Sequence, residues 1–229
     1  MKLIGTLQGV CIIKFSLEEV SPLSGVQIPK VQALIQSTYQ AKPMPAMTLK
    51  PPGPGEPPPL SFGSGQFTDG DTSYSIVQIM FAGNGLMATA QNTEAAGKIM
   101  DHLVGLLDSD LGFRLRDAEV KRFYVSALVV KFERNFEDYI APLHKIKNIV
   151  QSATGRVDGI AIKRLALGPE GDAGPFVSID TVEYTDFILE RRSGSPFSDN
   201  RYFTVAPVST ESHLEMLQHI EDAIPATIE

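Results

Sequence analysis

Three arginines bracket a short polar turn in the stretch ERRSGSPFSDNRYF, residues 190–203: Arg191, Arg192 and Arg201. A guanidinium presents a planar fork of donors that matches the oxygens of a phosphate or carboxylate, so three around one turn suggest anion binding. Asn200 would add an amide donor, and Tyr202, followed by Phe203, an aromatic face for stacking. The candidate site is therefore Arg191, Arg192, Asn200, Arg201 and Tyr202. A plainer reading competes with it. Glu183, Asp186, Glu190 and Asp199 lie near enough in sequence to pair with the same arginines, and exposed pairs of that kind are common surface features. Ser195, Pro196, Asp199 and Asn200 are ordinary turn formers. On balance a charged hairpin is favoured over an anion site.

Other constellations are weaker. The four histidines, His102, His144, His213 and His219, lack metal-ligand spacing; His213 and His219 stand six apart and fall on different faces of a helix. With Cys11 the sole cysteine, neither a zinc site nor an internal disulfide is expected. Cys11 lies among apolar residues, which predicts a buried, unreactive thiol rather than a nucleophile. Asp180, Glu183, Asp186 and Glu190 are read as a solvated strand face. Phosphate-loop, dinucleotide-fingerprint and nucleophile-elbow patterns are missing, and no cofactor is expected. Two more basic pairs, Lys121-Arg122 and Lys163-Arg164, would extend a positive band if their strands lay beside the arginine turn.

These residues need elements to position them. Leu3, Leu7, Cys11, Ile13 and Phe15 alternate as one buried side of a first strand. Val31, Leu34 and Ile35 recur at helical spacing after Pro29. Eight of the sixteen prolines fall in residues 42–60, which predicts an extended surface loop. Asp69-Gly70 and Asn84-Gly85 mark the turns of a three-stranded meander over 61–91. Asn92 caps a helix that stops at Gly112. RFYVSALVVKF, residues 122–132, is apolar on both parities, as a strand covered on both faces would be. A third helix is read over 136–153, strands over 159–167, 176–192 and 201–205, and a last helix after Ser209. No internal repeat is apparent. The pattern predicts an α+β fold with a mostly antiparallel sheet of about seven strands and four helices. It is read as a single domain, 1–229, carrying the proline-rich loop.

Composition bounds the function. A net charge of −7 opposes general attraction to nucleic acid or anionic membranes, and no apolar run reaches the ~18 residues of a membrane helix. Between Arg114 and Arg201, however, 14 basic residues meet 13 acidic ones, while the flanks hold 6 against 14. Lys2 and the apolar residues after it imitate a signal peptide, but Gln8 interrupts them and Lys14 closes them, so a cytoplasmic location is expected. The leading expectation is a non-catalytic accessory, adaptor or immunity-type protein that binds another protein. Alternatives are a module for a nucleotide, phosphorylated ligand or nucleic-acid end, and a hydrolase-like enzyme with a His/carboxylate site. Oligomeric state is not legible.

Overall fold

The computed structural model describes residues 1–45, 58–133, 135–136, 149–153, 163–169 and 177–222. Among these residues nine strands form one antiparallel sheet. The first half supplies β1 (Lys2–Lys14), β2 (Lys42–Met44), β3 (Leu60–Asp69), β4 (Thr72–Ala82) and β5 (Gly85–Ala90). The second supplies β6 (Lys121–Lys131), β7 (Arg164–Leu167), β8 (Phe187–Arg191) and β9 (Arg201–Ala206). Helices among the described residues are α1 (Leu17–Val20), α2 (Ile28–Tyr39), α3 (Thr93–Leu111), α4 over 149–153 and α5 (Thr210–Asp222). The strand order is β2-β3-β4-β5-β1-β6-β9-β8-β7.

The α+β architecture and antiparallel sheet match the sequence pattern, with more strands and helices than expected. The added strand β2 lies at the start of the proline-rich run. Lys42, Pro43 and Met44 pair with Gly63, Phe62 and Ser61. Proline is tolerated there because an edge strand bonds on one side only. Residues 46–57 lie outside the described residues. The added helix α1 is a single turn, too short to show a period, closed by Ser21 N donating to Leu17 O at 2.9 Å. Of the helix expected over 136–153, residues 149–153 are helical and 137–148 lie outside the described residues.

Two further expectations are corrected. Leu3 and Leu7 are 40% and 51% exposed. The β1–β6 register jumps between Leu3 and Gly5 and again between Thr6 and Gln8, so Leu7 falls in a bulge, whereas Leu3, opposite Val130, keeps the face of Cys11 and is exposed near the start of the strand. A bulge breaks the alternation on which the inward assignment of Leu7 relied. The strand expected over 176–192 is strand only from Phe187. Ser178 instead organises a turn: its carbonyl accepts from Val182 N and its hydroxyl from Thr181 N, leading into a 3₁₀ turn at Val182–Tyr184.

The sheet buries both faces. Cys11, Ile13, Phe81, Leu86 and Ala88 pack under α2 and α3 with Ile35, Tyr39, Ile99 and Leu103. On the same face, Leu128, Val130, Tyr202 and Leu189 pack with Leu217 of α5. The opposite face carries Val10, Ile12, Met80, Met87 and Val125 under Ile179 and Val182. Val125–Val130 are all buried, as a central strand requires.

The chain is built twice, which corrects the expectation of no repeat. Each half places its first strand beside its last, β1 beside β5 and β6 beside β9, and ends in a helix on one face. The first strands then pair antiparallel at the centre, Gly9 opposite Ser126. Gly9 and Ser126 stand the same 117 residues apart as Thr93 and Thr210 at the starts of α3 and α5. With that shift LQGVCIIKF (7–15) aligns with YVSALVVKF (124–132), and TEAAGKIMDHL (93–103) with TESHLEMLQHI (210–220). An approximate two-fold axis therefore passes through the Gly9–Ser126 pair.

Candidate functional site

The arginine turn joins β8 to β9. Arg191 pairs with Tyr202 across the strands, and beyond them Arg192 N donates to Arg201 O at 3.0 Å. The turn closes through Asp199 N to Pro196 O, with Gly194 and Asn200 at positive φ of 78° and 49°. Asparagine tolerates this left-handed region better than other non-glycine residues, and its carbonyl accepts from Phe132 N at 3.1 Å. The turn is thus tied to the end of β6.

The five candidate residues divide between the two faces of the sheet. Arg191 and Tyr202 share the helix-bearing face. Tyr202 is only 3% exposed, edge-on to Phe132 at 5.4 Å between ring centres. The Arg191 guanidinium lies 5.0 Å from the Tyr202 ring centre and donates to Asn135 Oδ1. Phe136 N in turn donates to the Tyr202 hydroxyl at 3.3 Å. Tyr202 therefore offers no open stacking surface; with Arg191 and Asn135 it fastens β8 and β9 to the end of β6. Arg192 and Arg201 point to the other face.

There they meet two lysines that sequence reasoning did not connect with them. Lys131 is the cross-strand partner of Arg201, and Lys2 that of Lys131. Residues paired across strands present their side chains on one face, so Lys2, Lys131, Arg201 and Arg192 form a row across β1, β6, β9 and the end of β8. At about 4.8 Å per strand the row spans roughly 15 Å. Lys2 and Arg192 are exposed, Lys131 and Arg201 half-buried. Asp199 Oδ2 lies 3.4 Å from Arg201 Nε, the one carboxylate among the described residues within ion-pair distance of the four cations. Like charges directly opposite one another destabilise a sheet. An anion bound along the row would relieve that repulsion.

The other basic pairs lie elsewhere. Lys121 and Arg122 begin β6, the end away from Lys131, where Arg122 binds Asp101 and Tyr124. Arg164 lies 4.0 Å from Glu190 on β7–β8. No signal in the linear sequence could assemble the row, because Lys2 and Arg192 are brought together only by the strand order.

Two other places were candidates for chemistry. A cleft of about 690 Å³ lies where α3 and α5 begin, lined by Gly97, Lys98, Asp101, Tyr124, Thr210 and Leu214 among others. Its lysine is committed: Lys98 Nζ donates to the Tyr74 hydroxyl at 2.9 Å and lies 3.6 Å from Asp69 and 3.8 Å from Glu94. Two histidines, His102 and His213, face hydroxyls. His102 Nδ1 is 2.9 Å from the Tyr39 hydroxyl. His213, fully buried, lies between Ser126 Oγ at 2.6 Å and Thr204 Oγ1 at 3.0 Å. Burial holds the His213 imidazole down to about 4. Cys11 is fully buried, and burial pushes its thiol up to about 12, as expected for an unreactive group.

No helix among the described residues is long and apolar enough to cross a membrane. No protein-family model, curated protein or solved structure matches the chain.

Proposed function

We propose that this protein is a non-catalytic binding protein that engages its partner through the basic row Lys2, Lys131, Arg192 and Arg201, with Asn200 at its rim and Arg191 and Tyr202 bracing it from behind. The group it takes is anionic: a phosphate, or a carboxylate-rich segment of another protein. One observation carries this reading. Three cations from three adjacent strands and a fourth, Arg192, just past the end of the next strand share one face, and among the described residues a single carboxylate, Asp199, stands within ion-pair distance of one of them.

The accessory-protein reading and the anion-module reading meet at this surface, since both need a charged face and neither needs a reacting group. The histidine geometry supports a binding role over a hydrolytic one. A general base is ordinarily oriented by a carboxylate or poised at a pocket, whereas His102 and His213 face hydroxyls inside the fold.

The test is a thermal-shift series at low salt with tripolyphosphate, an eight-nucleotide single strand and hexaglutamate, on the native chain and on Arg192→Ala/Arg201→Ala. A ligand that binds only the folded state raises the melting temperature once its concentration exceeds its dissociation constant. Stabilisation by the two phosphate probes alone assigns a phosphate-bearing partner; stabilisation by hexaglutamate as well assigns an acidic protein segment. In either case the shift should vanish in the double variant and shrink as salt is raised. No shift with any of the three overturns the reading.

A further inference from the structure

We infer that the two halves, alike in build, have divided their labour, and that the anion-binding row belongs to the second half's end of the sheet alone, giving one site per chain. This rests on reading the row as an anion site. The symmetry of the fold generates two equivalent ends, and the residues decide between them.

Under the 117-residue shift Lys131 is equivalent to Lys14, and each is followed by a buried phenylalanine, Phe132 and Phe15. Lys131 stands between Lys2 and Arg201; Lys14 stands between Lys121 and Gly85. Thus both ends begin with a lysine pair on the same face of the central strands. They differ in the third position. Where the second half has Arg201 the first has Gly85, and no side chain fits there: a Cβ on Gly85 would lie 2.4 Å from Ile13 O and 2.8 Å from Ile179 Cγ2. Ile179 belongs to the turn that covers this face of the first half. The same turn neutralises the lysine, since Glu183 lies 3.5 Å from Lys14 Nζ. One end is therefore capped by the chain's own carboxylate and closed by Ile179. The other keeps Lys2, Lys131, Arg192 and Arg201 on a face where Lys2 and Arg192 are exposed.

The division has a counterpart inside. Where α3 meets the sheet the first half has Gly9 and Ala88 on the strands and Ala96 on the helix; at the equivalent positions, where α5 meets the sheet, the second half has Ser126, Thr204 and His213. A Cβ on Gly9 would lie 2.0 Å from the backbone of Asn92 and Thr93, so α3 rests directly on β1. The second half fills the corresponding contact with a hydrogen-bonded imidazole. The halves have diverged in how each helix is seated as well as in what each end presents.

Isothermal titration of the full chain with tripolyphosphate at low salt tests the division. One site per chain is expected. Lys131→Ala/Arg201→Ala should weaken it at least tenfold, and Lys14→Ala/Lys121→Ala should leave it within about twofold. Arg192→Ala, at an exposed position outside the strands, serves as a second variant that disturbs no sheet contact and should also weaken binding severalfold. Two sites per chain, or a loss of affinity in Lys14→Ala/Lys121→Ala alone, overturns the division while leaving anion binding intact. Absence of binding to the native chain overturns the site itself and the division with it.

Discussion

His213 shows how one residue ties the second half together and makes the fold sensitive to acid. Its two ring nitrogens face Ser126 and Thr204, and the ring edge meets Phe187 at 6.4 Å. The fold favours the neutral imidazole, so between pH ~6.5 and ~4 the native state binds fewer protons than the unfolded chain. The resulting stability is fully present above about pH 6.5 and is lost as pH falls through the folded value near 4. From the size of that shift the loss amounts to about 3 kcal/mol. His102, also held down by burial, adds in the same direction. Urea denaturation from pH 7 to 4.5 should show the midpoint falling, and His213→Gln should flatten that slope while lowering stability at pH 7. An unchanged slope in the variant would assign the acid sensitivity to other groups. At this scale the sequence revealed part of the picture. The burial of Cys11 follows from its apolar neighbours, but His213 carries no mark in the sequence, because its partners lie in β6 and β9.

At the scale of elements, α3 and α5 begin by capping one another. Each helix has its own side-chain cap: Ala95 N donates to Asn92 Oδ1 at 2.8 Å, and Ser212 N to Ser209 Oγ at 3.2 Å. Each also uses the other's threonine. Thr93 N donates to Thr210 Oγ1 at 3.2 Å, and Thr210 N to Thr93 Oγ1 at 2.7 Å. Residues beside a two-fold axis meet their own equivalents, which is why a threonine at the first position of both helices satisfies an exposed N–H of each. Thr93→Val and Thr210→Val should each cost about 1 kcal/mol. In the double variant the costs should fall short of additive by about 0.5 kcal/mol or more, because both report on one shared contact. Additive losses by thermal denaturation would show that the helix starts are held independently. The caps Asn92 and Ser209 were legible in sequence; their meeting was not.

At the scale of the whole molecule, the central β1–β6 pair makes the halves parts of one sheet. We propose that they unfold together as a single domain. Leu103 of α3 and Leu217 of α5 are each fully buried in a different part of the core. Leu103→Ala and Leu217→Ala should each cost about 3 kcal/mol. Each should lower one common melting transition rather than split it, when far-UV circular dichroism is compared with tyrosine fluorescence. Two transitions in either variant would mean that the halves are energetically separate.

The sequence by itself determined the local elements. The flanking turn pairs Asp69-Gly70 and Asn84-Gly85 marked β4 and two hairpins, an apolar run on both parities marked the buried middle of β6, and three- and four-residue recurrence marked α2, α3 and α5. These are short-range consequences of backbone geometry and of an apolar face, so a window of ten or so residues contains them. Where the chain departs from that geometry, at the two bulges of β1 and at the Ser178 turn, the alternation misled. Only the tertiary structure decided the rest. The likeness of LQGVCIIKF to YVSALVVKF acquires meaning once Gly9 is seen opposite Ser126. The basic row exists because strands distant in sequence lie side by side, setting Lys2 beside Lys131 and Arg201 beside both. Strand order is set by which faces can be buried together, a property of the whole sheet that no single stretch of residues encodes.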